Sequence, residues 1–200
     1  MHTIADAASE AFVPDFDDPY IGLEGDITDF EYDSDLVILR MREACAIGTD
    51  READYIVAAP YKITFRIDGE PHEITVPAGM LTDLVSVPRP LRWAIERVGP
   101  HLEAAIVHDF LFIAWSYAEA EADRVATREK WVFANRVMIA GLQAAGVSAL
   151  KCWAIAWALS TPFSWAIFAH TETPNFIDLD KARLRTAGLR AGNDTDYETA

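Results

Sequence analysis

Two short polar segments stand out in an otherwise apolar part of this chain. The first contains Thr82, Asp83 and Ser86, and the second is the adjacent pair His108 and Asp109. Polar groups embedded among apolar ones must be hydrogen-bonded, or they must serve a function. Together the two segments predict the one credible site in the chain.

Three kinds of site fit these residue types. Asp83, His108 and Asp109 could ligate a divalent cation such as Zn²⁺, Mn²⁺ or Mg²⁺, with Thr82 and Ser86 supporting the ligands, and a bound ion could activate a water. Without a metal, a His–Asp pair could act as a general base beside a hydroxyl. In a structural interpretation the same groups cap helices and form a buried hydrogen-bond network. The sequence has no HExxH, CxxC or GxSxG motif, so the three remain open.

The elements that must position these residues are predicted to be strands followed by helices. Apolar residues alternate with polar ones over 61–67, which predicts a half-buried strand, and Asp68-Gly69 predicts a hairpin turn before a return strand with Ile74 and Val76. Shorter apolar runs predict further strands at 36–41 and 55–59. Helices are expected at about 89–98, 101–115, 119–145 and 148–169. The predicted fold class is α+β, with a small antiparallel β section (about 36–77) followed by a helical section (about 89–169).

Composition narrows the classes of function. The chain has 200 residues, 51% of them hydrophobic, and a net charge of −15, which suits one acidic domain with appendages. Such acidity excludes nucleic acid as a partner and weakens contact with an anionic membrane. Cys45 and Cys152 are isolated, which favours a reducing compartment, and the N-terminus lacks the pattern of a signal peptide.

The first 35 residues form an acidic segment. They contain eleven acids, no Lys or Arg, and five interleaved aromatics: Phe12, Phe16, Tyr20, Phe30 and Tyr32. One interpretation is a solvated arm, and the other is an arm that docks on a neighbouring subunit. The predicted organisation is an arm at 1–35, a single domain at 36–170 and a tail at 171–200.

The segment 152–169 has 18 residues without a formal charge. By helical spacing Trp153, Trp157 and Trp165 can share one stripe, and Pro162 predicts a kink. The length reaches the lower limit for a membrane span, but the stripe favours a core or partner-facing helix. An intersubunit contact would explain the apolar surplus.

The two polar segments also resemble a known family. The sequences VPAGMLTDLVSVPR (76–89), AAIVHDFLF (104–112) and ANRVM with GLQAAGV (134–138 and 141–147) resemble the bacterial and phage family called domain of unknown function 1353, over roughly residues 55–165. The resemblance implies a phage or prophage origin and places Asp83, His108 and Asp109 at the family's polar positions. It implies no activity.

Two departures from the family pattern bear on the site. Phe112 stands where the family usually has a tyrosine, and the family's third acid falls at Asn135. Asp123, twelve residues earlier, could compensate through an altered loop, so the candidate metal ligands are Asp83, His108, Asp109 and Asp123. Otherwise the site has lost a ligand, which favours a structural role.

Three hypotheses follow. The favoured one is a virion structural or accessory protein that contacts other virion proteins or further copies of itself through its arm and tryptophan-rich helix, in the virion or the host cytoplasm. The alternative is a small metal-dependent hydrolase that uses Asp83, His108 and Asp109 at the cell wall or in lysis. The third is a membrane-associated lysis accessory that uses 152–169.

Overall fold

The structure, a computed structural model, describes residues 12, 14–20, 22–46, 52–82, 101–118, 121–171 and 175–180. Within these residues the strands precede the helices, so the predicted α+β class is confirmed. The strands are β1 (Ile27–Tyr32), β2 (Ile38–Ala46), β3 (Glu52–Val57), β4 (Tyr61–Ile67), β5 (Glu70–Val76) and β6 (Leu81–Thr82). The α-helices are α1 (Leu102–Ile113), α2 (Arg128–Ala144), α3 (Ala149–Leu159) and α4 (Pro162–Ala169). Asp83, Ser86 and the predicted helix at 89–98 lie outside the described residues.

The first sheet has the order β1-β4-β5 and contains the predicted hairpin. β4 and β5 pair antiparallel, and Asp68 and Gly69 form the turn at φ values of 50° and 88°. Two successive residues at positive φ match the twist of the flanking strands. Alternate residues of β4 are buried, as the period-two pattern predicts.

The second sheet has the order β2-β3-β6, all antiparallel. In β6, Leu81 pairs with Ile56 and Thr82 pairs with Tyr55. Residues 175–177 close this region, because Met80 forms a β-bridge with Phe176 and the Leu81 amide donates to the Asn175 carbonyl at 2.8 Å. This pairing fixes the position of Thr82.

The helices differ from their predicted limits in two places. The helix predicted at 119–145 begins only at Arg128, because Thr127 is extended and its hydroxyl accepts from the Lys130 amide at 3.3 Å, which caps the helix. The helix predicted at 148–169 is two helices, α3 and α4, with a 63° bend between them. Thr161 caps α4 and Pro162 occupies its first turn, which ends one helix and starts the next.

The core lies between the first sheet and the helices. It includes Ile63, Phe65 and Val76 of the sheet, Ile106 and Phe110 of α1, and Phe133 of α2. Each of these side chains is at most 3% exposed. Full burial of one such side chain contributes about 1.5–3 kcal/mol.

Aromatics of the predicted arm pack within this same chain. Phe16 meets Phe110 edge-on at 5.1 Å between centroids, and Phe30 of β1 stacks on Phe65 at 6.0 Å. The Tyr20 hydroxyl donates to the Leu111 carbonyl. The structure therefore gives these residues partners inside the molecule, and contact with a neighbouring subunit is not needed to explain them.

Candidate functional site

Thr82 and Asp109 form the first half of the candidate site. Thr82 is 2% exposed at the end of β6, and Asp109 lies half-buried in α1. The Thr82 hydroxyl donates to Oδ2 of Asp109 at 2.9 Å. A hydrogen bond to a carboxylate is stronger than one between neutral groups, so this bond ties the second sheet to α1.

His108 and Asn135 form the second half. Nε2 of His108 lies 3.0 Å from Oδ1 of Asn135, which is on α2. The Asn135 amide nitrogen donates to the Leu159 carbonyl at 3.2 Å, at the end of α3. This bond orients the amide, and because its oxygen can only accept, Nε2 carries the imidazole proton. We call this chain of groups the imidazole–amide bridge: it joins α1, α2 and the end of α3.

Burial determines the charge of His108. Its side chain is 7% exposed, and desolvation lowers its pKa from the ordinary 6.5 to about 4, although the hydrogen bond with Asn135 opposes the shift. The imidazole is therefore neutral at pH 7. The centroid of the Phe112 ring lies 4.1 Å from that of the imidazole, so an apolar ring packs against His108 at the position where the family usually has a tyrosine.

The two halves point in different directions. Successive residues on an α-helix are about 100° apart, so His108 faces α2 while Asp109 faces β6. The structure brings Asp109 together with Thr82, and His108 together with Asn135. Asn135 could be singled out from the sequence because it occupies the family's third acid position. The Leu159 carbonyl could not, because every residue has a backbone carbonyl.

The described residues by themselves do not make up a metal centre. No group of three His, Cys, Asp or Glu side chains in this part of the chain could hold an ion. Asp123, proposed as a compensating ligand, is exposed in a short 3₁₀ helix (Glu121–Asp123), and Lys130 donates to its backbone carbonyl at 2.9 Å. Asn135, rather than Asp123, is therefore the partner of His108. Asp83, the remaining predicted ligand, lies outside the described residues.

A second feature of functional interest lies on α3 and α4. Four large apolar side chains are exposed here by 73%, 68%, 66% and 62%: Leu150, Trp153, Trp157 and Phe163. We call these four the exposed aromatic face. Contiguous exposed apolar surface on a folded domain is typical of sites that contact a protein, a membrane or a ligand.

Trp165 does not belong to this face, contrary to the predicted single stripe. Because the chain bends between α3 and α4, Trp165 turns inward and meets Trp131 edge-on at 5.9 Å. The Arg128 guanidinium lies 5.0 Å from the centroids of both rings. In the described residues no single helix is long and apolar enough to cross a membrane; α3 and α4 together have the length and composition, but with the bend between them.

The fold and the polar site define a small α+β protein with a buried, neutral histidine bridge. Comparison with known families then places it: the chain belongs to the family described as "Protein of unknown function (DUF1353)", whose profile matches residues 55–159. No curated protein and no solved structure matches the chain. The match runs from within β3 to the end of α3, and β1, β2 and α4 lie outside it.

Proposed function

We propose that this protein is an assembly component that contacts another protein subunit through the exposed aromatic face, and that it serves in a phage or prophage particle. One observation carries the proposal: Leu150, Trp153, Trp157 and Phe163 stand more than 60% exposed on two adjoining helices. Trp is enriched among the residues that dominate binding energy at interfaces. The phage setting is supported by the family resemblance.

The energetics favour a covered face. Burying an exposed side chain of this size contributes about 1.5–3 kcal/mol. Four such side chains together contribute more than an isolated surface residue, and this gain opposes the costs of association, which are the lost freedom of the two partners, the ordering of side chains and the desolvation of polar groups. A partner that covers the exposed aromatic face would therefore gain binding free energy from burying these four side chains.

The imidazole–amide bridge supports the same proposal. His108 of α1 and Asn135 of α2 connect these two helices to the end of α3 by hydrogen bonds. Because the imidazole is neutral, the bridge places no unpaired charge in the core. A rigid support lowers the entropy lost when the face binds a partner. In this proposal the polar residues position an interface rather than a substrate.

The test uses particles purified from a host that carries the gene. The chain should be present at a fixed copy number by quantitative mass spectrometry. A Trp153→Ser and Trp157→Ser double variant should be lost from the particles while its circular dichroism stays unchanged. Leu39→Ser is the matched control, because Leu39 is also 53% exposed but lies on β2. Absence of the wild-type chain from particles, or normal incorporation of the double variant, would reject the proposal.

A metal-dependent hydrolase is the second candidate, and one contact favours it. Thr82, which directly precedes Asp83, is hydrogen-bonded to Asp109, which directly follows His108. This bond holds Thr82 against α1. We propose Asp83, His108 and Asp109 as its ligands or acid–base groups, with Zn, Mn or Mg as the ion. Elemental analysis of chelator-free protein tests it beside Asp83→Asn and His108→Ala. Stoichiometric metal that both variants lose would support the hydrolase; a metal-free wild type with merely less stable variants would remove the metal site.

A further inference from the structure

We propose that the subunit contacting the exposed aromatic face is a second copy of this chain, in a two-fold dimer in which Trp153 and Trp157 of each copy pack into a groove beside α2 of the other. This inference rests on the proposed function and names its partner. It depends on three observations: a groove of suitable size, its position next to the two tryptophans, and the distribution of charge.

The groove runs along the outer side of α2. Val132, Asn135, Ile139 and Ala140 form its floor, and Ala156 of α3 and Ser160, the residue that follows α3, form one wall. Its volume is about 420 Å³, which is in the range that protein pockets use for bound groups. Val132 is 43% exposed, so the floor presents apolar surface to solvent. We call this the α2 groove.

The groove and the tryptophans adjoin each other. Trp153 lies three residues from Ala156, and Trp157 lies three residues from Ser160, so wall and indoles share one side of α3. A two-fold axis requires a self-complementary surface, in which a projecting group and a recess lie side by side. Each copy then inserts its indoles into the partner's groove and accepts the partner's indoles in its own. A projection and a recess on opposite sides would instead build an open chain of copies.

The size of the surface suits a dimer. Aromatic side chains bury about 150–250 Å² each, so the three on the face and Leu150 offer roughly 400–600 Å² per copy. The walls and floor of the α2 groove bring this toward the ~800 Å² per partner of a specific interface.

The charge distribution permits two acidic molecules to meet here. The chain carries a net charge of −15, yet residues 130–171 contain no Asp or Glu, and their Lys and Arg residues are Lys130, Arg136 and Lys151. The only carboxylate of α2, α3 and α4 is that of Glu129 in the first turn of α2, so contact between these surfaces brings few carboxylates together. Asp26, at the rim of the groove, offers a counter-charge for the exposed Lys151 of the other copy.

The same features argue against a lipid surface. Asp26 and Arg136 line the α2 groove, and these charged side chains would lose their hydration if the groove faced hydrocarbon. An acidic protein is also repelled by anionic headgroups. A second copy offers both the indoles and the counter-charge.

The experiment is sedimentation velocity on the full chain at increasing concentration. We expect wild type to form a dimer. Trp157→Ala should weaken it by at least roughly thirtyfold, the effect of removing a hot-spot residue. Val132→Arg, which places a charge on the groove floor, should weaken it equally, whereas Leu39→Arg, at an exposed position on β2, should not.

Photo-crosslinking identifies the contact directly. A benzophenone amino acid in place of Trp157 should crosslink to residues 128–144 of a second copy, read by mass spectrometry of mixed heavy and light protein. A monomeric wild type at every concentration, or a crosslink only to phosphatidylcholine vesicles added as a competitor, would overturn the dimer. A monomer that still enters particles through Trp153 and Trp157 would leave the proposed function standing, so the two failures are distinguishable.

Discussion

At the scale of single residues, Asn135 decides the character of the polar cluster. Replacing it with Asp places a carboxylate 3.0 Å from Nε2 of His108 and removes the donor to the Leu159 carbonyl. We expect the pKa of His108 to rise from about 4, because a nearby negative charge favours the imidazolium, and the protein to lose about 1–3 kcal/mol of stability. NMR titration of the imidazole and urea unfolding measure the two effects. Gln143→Glu, at an exposed position on α2, is the matched control and should change neither.

The buried imidazole also makes stability depend on pH. Well above pH 6.5 His108 is neutral in both the folded and the unfolded chain, so its burial carries no protonation penalty. As pH falls from about 6.5 toward about 4 the unfolded chain takes up the proton first, and stability is lost. Between about pH 7.5 and about pH 5 we expect wild type to lose about 2 kcal/mol more than His108→Gln. Equal losses in urea titrations of both proteins would show that His108 titrates normally.

Thr82 is the other residue whose contact can be measured. Thr82→Val keeps the shape of the buried side chain but removes the donor to Asp109. We expect a loss of about 1.5–3 kcal/mol, the contribution of a hydrogen bond to a charged group. Thr82→Ser, which retains the hydroxyl, should be closer to wild type in urea unfolding. If Thr82→Ser proves the less stable of the two, the buried methyl matters more than the hydrogen bond.

At the scale of elements, Gly79 controls how the chain closes beside β6. It has a φ of 92°, and a Cβ there would collide with the backbone carbonyl of Ile177. Gly69, at a φ of 88°, has open space around it. We expect Gly69→Ala to cost about 1 kcal/mol from backbone strain alone, and Gly79→Ala to cost several kcal/mol because the backbone must also move. Thermal unfolding of both variants checks this, and similar costs would show that the closing segment moves aside easily.

Elements with a clear period were predictable, whereas those defined by tertiary contacts were not. The alternation in β4 and the Asp68-Gly69 turn specify the hairpin locally. β1 was missed because its register shifts between Thr28 and Glu31 and its outward acids read as a solvated arm. Pro162 predicts a kink at this point, but the apolar sequence on both sides gives no sign that the kink divides the segment into two separate helices with Thr161 as a cap.

The site was predictable only in part, for the same reason. Thr82, His108 and Asp109 could be singled out because they are polar residues within apolar stretches of sequence. Their partners could not be assigned, because adjacent positions on α1 face different elements. The role of Asn135 required knowing that the end of α3 lies beside α2.

At the scale of the whole molecule, net charge sets how association responds to salt. Two copies with −15 each repel at long range, while the proposed contact is apolar and carries few charges. Raising NaCl from about 0.05 to about 0.5 M should therefore strengthen the dimer, on the order of tenfold, by screening the repulsion. Sedimentation equilibrium measures this, with Trp157→Ala as the control for general salting-out. A dimer that weakens with salt would instead be held by ion pairs.

The pairing of Met80 with Phe176 has a consequence for how the protein is made. Met80, Phe176 and Ile177 are fully buried, so the core beside β6 is completed by residues that the ribosome adds almost a hundred positions after the strand. A nascent chain that ends at residue 159, where the family match ends, exposes this apolar surface. Contacts so distant in sequence form slowly. We therefore expect the final folding step to follow release of the closing segment from the exit tunnel, and the growing chain to bind chaperones until then.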